Sequence, residues 1–243
     1  MKRGTAAILA VIGLGAVWGG GWYLRNSPGV WRPALSERAI ATRVLAEHLA
    51  AHFPRSKALV VANPFTQRSG QSAEIYGFDK AGIRGLEEGF KRTDLIKVVY
   101  PELRPEFDRN PRSVYVDPKT TTPLSFLVAD DAFDRLVQSN PDFDLLITLI
   151  GLPIKVRESA VWRDAERLRF GLLLPDWRMV GDRESIRAAV KSGKIAGAVI
   201  NRPGAPPENA PPEGDYKAEF ARRFLLVTQE NIDQLLQSYP QLF

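Results

Sequence analysis

The chain has 243 residues, 44% of them apolar, which is enough for one large domain with a substantial core. It carries 33 Lys and Arg against 28 Asp and Glu; without Lys2, Arg3 and Arg25, which flank an apolar N-terminal run, the balance is 30 against 28, or +2, and no dedicated nucleic-acid surface is implied. With no cysteine there are no disulfides, thiolate nucleophiles, Cys-ligated zinc, iron-sulfur clusters or thioether-attached haem.

Residues 5–24, TAAILAVIGLGAVWGGGWYL, form twenty positions without a charge, the length of helix that spans a hydrocarbon core of about 30 Å. Lys2 and Arg3 precede the run, so the positive-inside rule keeps the N-terminus cytoplasmic and places the chain beyond Arg25 on the far side of an inner or cytoplasmic membrane, which in a two-membrane cell is the periplasm. The competing reading is a cleavable signal peptide; Trp22, Tyr23 and Leu24 make a poor cleavage context, which favours a retained single-pass anchor over residues 1–25. Gly15 and Gly19 form a GxxxG pair that would let another membrane helix approach, although membrane helices also tolerate glycine without such a role.

Residues 26–35 read as a Pro- and Gly-containing linker, after which Ser36 can cap a helix running to about His52. Residues 36–243 are expected to form an extracytoplasmic α/β domain. KALVVA (57–62) is a continuous apolar run stopped by Asn63-Pro64, as in a strand buried on both faces. A helix over 80–91, a strand over 96–100, a helix over 131–139 and a strand over 144–150 come next. Strands over 168–174, 195–200 and 224–227 then alternate with helices over 183–192 and 231–238. The alternation predicts a doubly wound, mostly parallel sheet of six strands. Two proline-rich stretches interrupt it: 101–123, with an edge strand expected at Ser113–Val116, and 203–214, expected as an extended exposed loop.

In such a sheet ligands bind where loops leave the carboxyl ends of strands. The first such loop offers Asn63, Thr66, Gln67, Arg68, Ser69, Gln71 and Ser72, a donor and acceptor set suited to a sugar, a carboxylate or another anion. The plain alternative is a solvated Asn-Pro turn. Asn201 and Arg202 come after the fifth strand, where Arg202 can bind an anion or pair with Glu208. Gly82, Gly85 and Gly89 lack the spacing and placement of a dinucleotide fingerprint and suit close helix packing instead. Phosphate-loop, GxSxG and HExxH motifs are absent. His48 and His52, at i and i+4, are the sole metal candidates, and no acidic partner joins them at motif spacing except Glu47. Asp130 and Asp131 suit a helix cap better than acid/base work, and Trp177 after Asp176 can stack on a ligand or pack under a loop. Trp162, in a segment of alternating charges, has interface character. No catalytic set and no cofactor are expected.

KALVVANPF (57–65), AGIRGLEEGFKR (81–92), PDFDLLITLIGLP (141–153), SGKIAGAVINRPG (192–204) and FLLVTQENIDQLL (224–236) resemble pieces of the type I periplasmic-binding-protein-like fold. The resemblance implies a small-molecule-binding module with contacts from residues 63–72, 151–153 and 201–204. The domain is short for the two full lobes of that family, so it implies one lobe, or one with a reduced second. Three functions are open: a membrane-tethered module that binds or senses a small ligand, an accessory subunit of a larger membrane complex, and, least supported, an enzyme.

Overall fold

The computed structural model describes residues 28–164, 167–208 and 210–243, with side chains from residue 34 onward. The expected anchor, with Gly15 and Gly19, lies outside the described residues. Among those described, no helix is long and apolar enough to cross a membrane.

The elements run α1 Pro28–His52, β1 Ala58–Val61, α2 Ala73–Phe90, β2 Ile96–Val99, α3 Pro105–Arg109, α4 Pro123–Leu127, α5 Ala132–Gln138 and β3 Leu145–Thr148. The order continues with α6 Ala160–Arg163, β4 Arg169–Leu173, α7 Arg183–Lys191, β5 Ile195–Asn201, α8 Tyr216–Arg223, β6 Phe224–Val227 and α9 Ile232–Ser238. The six strands form one sheet in the order β2-β1-β3-β4-β5-β6, parallel throughout except for β6, which runs antiparallel to β5. β1 and β3 are buried along their whole length, which is why they read as unbroken apolar runs rather than alternating ones.

Both faces of the sheet are covered. On one, Ala41, Leu45 and Leu49 of α1 and Leu86 and Phe90 of α2 pack on Val60, Ile147 and Val199. On the other, α5, α7 and α9 are joined by the segment after β2, whose Leu103, Phe107, Val116 and Phe126 belong to the core.

Three local expectations differ. The first helix begins at Pro28 instead of Ser36, so residues 28–35 are helical rather than linker. No strand forms at 113–116; Asn110 caps a 3-10 turn over Pro111–Ser113, and the segment's sheet-like contact is an isolated bridge between Leu103 and Val128. Five prolines remove too many backbone donors for a ladder there. The stretch before β6 contains a helix that composition obscured, α8, capped by Asp215 through the backbone N–H groups of Lys217 and Ala218. α8 passes directly into β6 at the carboxyl end of the sheet, so β6 starts where β5 finishes and must run back antiparallel.

Helices α1 and α2 approach closely because α2 presents glycine where they touch. A Cβ at Gly85 would lie 2.1 Å from Thr42 Oγ1 and 2.2 Å from the Ala39 carbonyl oxygen, and one at Gly89 2.4 Å from the Arg43 carbonyl oxygen. Gly77, by contrast, meets nothing nearer than Leu35 at 3.7 Å. Gly85→Ala should therefore destabilise the fold by about 3 kcal/mol through overpacking against backbone. Gly77→Ala should be neutral or stabilise by up to about 1 kcal/mol through helix propensity. Urea denaturation of the two variants separates these outcomes, and equal midpoints would show that the helices can slide apart without cost.

Candidate functional site

The carboxyl ends of β4 and β5 open toward the N-terminal half of α1. Asn201 ends β5 and is exposed; Leu174, just past β4, adopts φ +47°, a left-handed conformation that costs a branched side chain about 1–2 kcal/mol. Beyond Asn201 the proline-rich loop runs to α8, whose last residue, Arg223, is buried although it carries a full charge. Its guanidinium donates to the carbonyl oxygens of Pro206 (3.2 Å), Pro207 (3.1 Å) and Ala210 (3.0 Å) and to the carboxylate of Glu219. It also lies 3.0 Å from Glu37 of α1 in an ion pair. Prolines supply no backbone donors, so a buried guanidinium with five N–H groups is a suitable partner for a loop rich in otherwise unmatched carbonyls.

Beside Arg223 lies a half-open cavity of about 250 Å³. Glu37, Arg38, Asn201, Glu208 and Arg223 provide its polar wall, and Ala41, Phe78, Leu173 and Phe224 part of its apolar one. It is slightly smaller than a drug-sized site, of the order that holds a small polar molecule. Arg38 donates to the Leu149 carbonyl oxygen at 3.0 Å and lies 4.7 Å from the Phe78 ring centre, and among the described residues no carboxylate forms an ion pair with it. Burial lowers its pKa to about 10, with Asp79 opposing the shift. Burial likewise raises Glu37 to about 7; Arg223 opposes this, while Glu208 and Glu219 add to it. Burial would raise Glu219 too, but hydrogen bonds from Arg222, Arg223 and the Glu213 backbone outweigh it and bring that carboxyl down to about 2. The cavity thus holds a carboxyl raised to about 7 beside a guanidinium that Asp79 stabilises through space, without an ion pair among the described residues.

Of the residues expected from sequence, Asn201 lines this cavity and the first loop does not. Asn63 turns its side chain onto the Phe65 N–H at 2.9 Å, its own N–H goes to Asp79 at 3.0 Å, and Thr66 donates to the Asn63 carbonyl at 2.7 Å. Arg68 pairs with Asp108 at 2.7 Å. Gln67, Ser69 and Ser72 are exposed, and Gln71 is half-buried with its Oε1 unpartnered. Gly151, at φ +91°, is blocked by Thr122, which a Cβ there would meet at 2.4 Å. Thr120 donates to Asp176 at 2.7 Å and Arg178 chelates the same carboxylate, so the segment after β2 is fastened across the end of the sheet. Arg202 is half-buried and gives its backbone N–H to the Arg223 carbonyl at 2.8 Å; its Nε is buried without a partner.

The remaining candidates take structural places. Trp162 packs on Phe170 with ring centres 5.3 Å apart, part of the core margin rather than a presented surface. Trp177 is buried against Phe243, and Asp130 pairs with Arg104 and Lys155. His48 Nε2 lies 3.0 Å from the Ala196 carbonyl oxygen and His52 Nδ1 2.9 Å from the His48 carbonyl oxygen, at the amino end of the sheet and away from the cavity. Among the described residues no cluster could hold a metal ion. Glu37, Arg38 and Arg223 escaped the sequence reading because each looks like one more helix-surface charge. The cue was position: α1 leads into β1, so its first turns must lie at the carboxyl end of a parallel sheet.

No protein-family model matches the chain, and no curated protein matches it in sequence. Solved structures do. A protein from Mycobacterium smegmatis aligns at a TM-score of 0.50 and 12% identity over 85% of this chain and 62% of that one. A sugar-binding protein of a sugar ABC transporter from Bacillus halodurans aligns at 0.46 and 12% identity, over 81% and 64%. A periplasmic solute-binding protein of an ABC transporter from Actinobacillus succinogenes, solved with bound D-allose, aligns at 0.45 and 10%, over 82% and 61%. The chain resembles the type I periplasmic-binding-protein-like fold. That likeness is one of fold, carried by the first of these structures together with the strand order, and the chain spans less than two thirds of each protein's length.

The two carboxyls that flank Arg223 give stability opposite pH dependences. Glu37 is raised from 4.5 to about 7, so its contribution is fully present below pH 4.5 and is lost as pH rises through 7. Glu219 is lowered to about 2, so its contribution is present above pH 4.5 and is lost as pH falls toward 2. Glu37→Gln, isosteric and uncharged, should flatten the stability profile between pH 5 and 8 and stabilise the protein at pH 8 by about 1–3 kcal/mol. Denaturant midpoints across that range check it; a profile parallel to wild type would show that Glu37 is an ordinary ionised carboxylate.

Proposed function

We propose that the chain is a non-catalytic module that binds or senses a small polar ligand, held outside the cytoplasm by an N-terminal membrane anchor. The observation that carries the binding reading is the strand-end cavity, where Arg38, which forms no ion pair among the described residues, and a neutral-range Glu37 face an apolar floor. The guanidinium and the carboxyl, on consecutive residues of α1, can each engage neighbouring oxygens of one small molecule, which suits a sugar, a polyol or a small carboxylic acid. The vicinal hydroxyls of a sugar both donate and accept, so they answer both groups at once and make a sugar the natural first candidate. The anchor rests on the twenty uncharged residues 5–24, and its orientation on Lys2 and Arg3 before them.

Among the described residues the site brings together no nucleophile with an activating base, which favours binding over chemistry. The accessory-subunit reading loses the support of Trp162, which packs inward on Phe170.

Isothermal titration of the full chain with a panel of D-aldoses, polyols and small carboxylic acids should find a one-to-one binder. Ala205→Trp, which fills the cavity from its half-exposed rim, should weaken that binding at least tenfold without moving the melting temperature. Absence of any binder, or a binder indifferent to Ala205→Trp, would overturn the assignment of this cavity.

A further inference from the structure

Every large hydrophobic side chain left exposed among the described residues lies on the carboxyl-end rim of the sheet. Tyr76 is 41% exposed, in the first turn of the helix after β1; Tyr115 is 74% exposed, in the segment after β2; Ile154 is 39% exposed, in the loop after β3. The placement of Tyr115 is set on both sides. Asp108 pairs with Arg68 at the end of β1, and Asp117 with Arg178 beyond β4, so the chain between them crosses that end of the molecule. Singly exposed hydrophobics are unremarkable, but three from three connections gathered on one end call for a contact.

The same end receives the start of α1. Glu37 and Arg38 meet Arg223 and the Leu149 carbonyl there, whereas His48, ten residues on, meets Ala196 at the opposite end. Only Arg25–Ser27 separate the uncharged run 5–24 from Pro28, the first residue of α1, and four peptide steps reach at most about 14 Å. A domain on so short a tether cannot turn its other end to the bilayer.

The geometry points to the carboxyl-end rim as a membrane-contacting face, with Tyr115, Tyr76 and Ile154 resting in the headgroup layer of the bilayer that holds the anchor. This rests on the anchored reading above. Tyrosine is suited to that layer because its ring is apolar and its hydroxyl polar; the Tyr76 hydroxyl donates to the Arg68 carbonyl oxygen at 3.1 Å, and Tyr115 is the more exposed of the two. The rim carries both signs of charge, with Arg109, Arg112 and Lys119 interspersed with Glu106, Asp108 and Asp117, so the contact is with lipid in general rather than with anionic headgroups. The cavity between α1 and the 201–208 loop then opens beside the membrane.

The absence of cysteine permits a direct test with single nitroxide labels. Full-length Tyr115→Cys, Ile154→Cys and, at the far end, exposed Arg55→Cys would be labelled and reconstituted in phosphatidylcholine vesicles. The oxygen-to-nickel accessibility ratio should be at least threefold higher at 115 and 154 than at 55. Equal ratios in protein that resists alkaline carbonate extraction would overturn the rim contact and leave the anchor standing. Protein stripped by carbonate would overturn the anchor and the rim contact together. Labels at 115 and 154 shielded from both reagents would place a second copy of the chain on the rim instead, and overturn lipid contact.

Discussion

The carboxyl end of this sheet depends on one buried cation. Arg223 sits at the junction of α8 and β6, and its guanidinium reaches α1 through Glu37, α8 through Glu219 and the proline-rich loop through three carbonyl oxygens. A buried charge is tolerated when its hydrogen-bonding capacity is met, and here the partners come from three separate parts of the chain. Without it, the loop carbonyls would lose their donors and Glu219 its buried counter-ion, and removing one member of such a group costs several kcal/mol. The polar wall of the cavity is therefore a by-product of the way the last strand is attached.

The second constraint is steric. α1 is the longest helix described and lies against both α2 and the sheet, and small residues set how closely it can lie. Gly85 and Gly89 admit the α1 backbone itself, while Gly171 of β4 and Gly197 of β5, neighbours in register, face Leu49 and His48. A helix pressed this closely has a fixed rotation, and that rotation aims Glu37 and Arg38 at the strand ends and His48 at the Ala196 carbonyl. The histidine pair is thereby turned to packing and backbone hydrogen bonding, and burial lowers the His48 pKa.

The strands were legible because burial on two faces leaves a plain record: LVV, LLIT and IAGAV admit few alternatives to buried parallel strands. The helix glycines were legible too, since their spacing fits a helix face and no phosphate loop. What composition hid was the direction of β6 and the fate of the proline-rich segments. Proline count marks a stretch as irregular but says nothing about whether it is loose, and both segments are packed down, one by Arg223 and the other by the Asp176, Thr120 and Arg178 cluster. For the candidate site, polar loop residues drew attention because exposed turns and binding loops share a composition. Asn63 and Thr66 direct that polarity to their own turn, while three of the charges that line the cavity, Glu37, Arg38 and Arg223, sit on helices.

Past the end of β3, Thr122 lies against Gly151, while the recess between α1 and the 201–208 loop is walled on one side by a helix and on the other by a pinned loop. α1 thus supplies one side of that recess. Glu37, which lines that recess from α1, ties the helix through Arg223 to the loop on the other side.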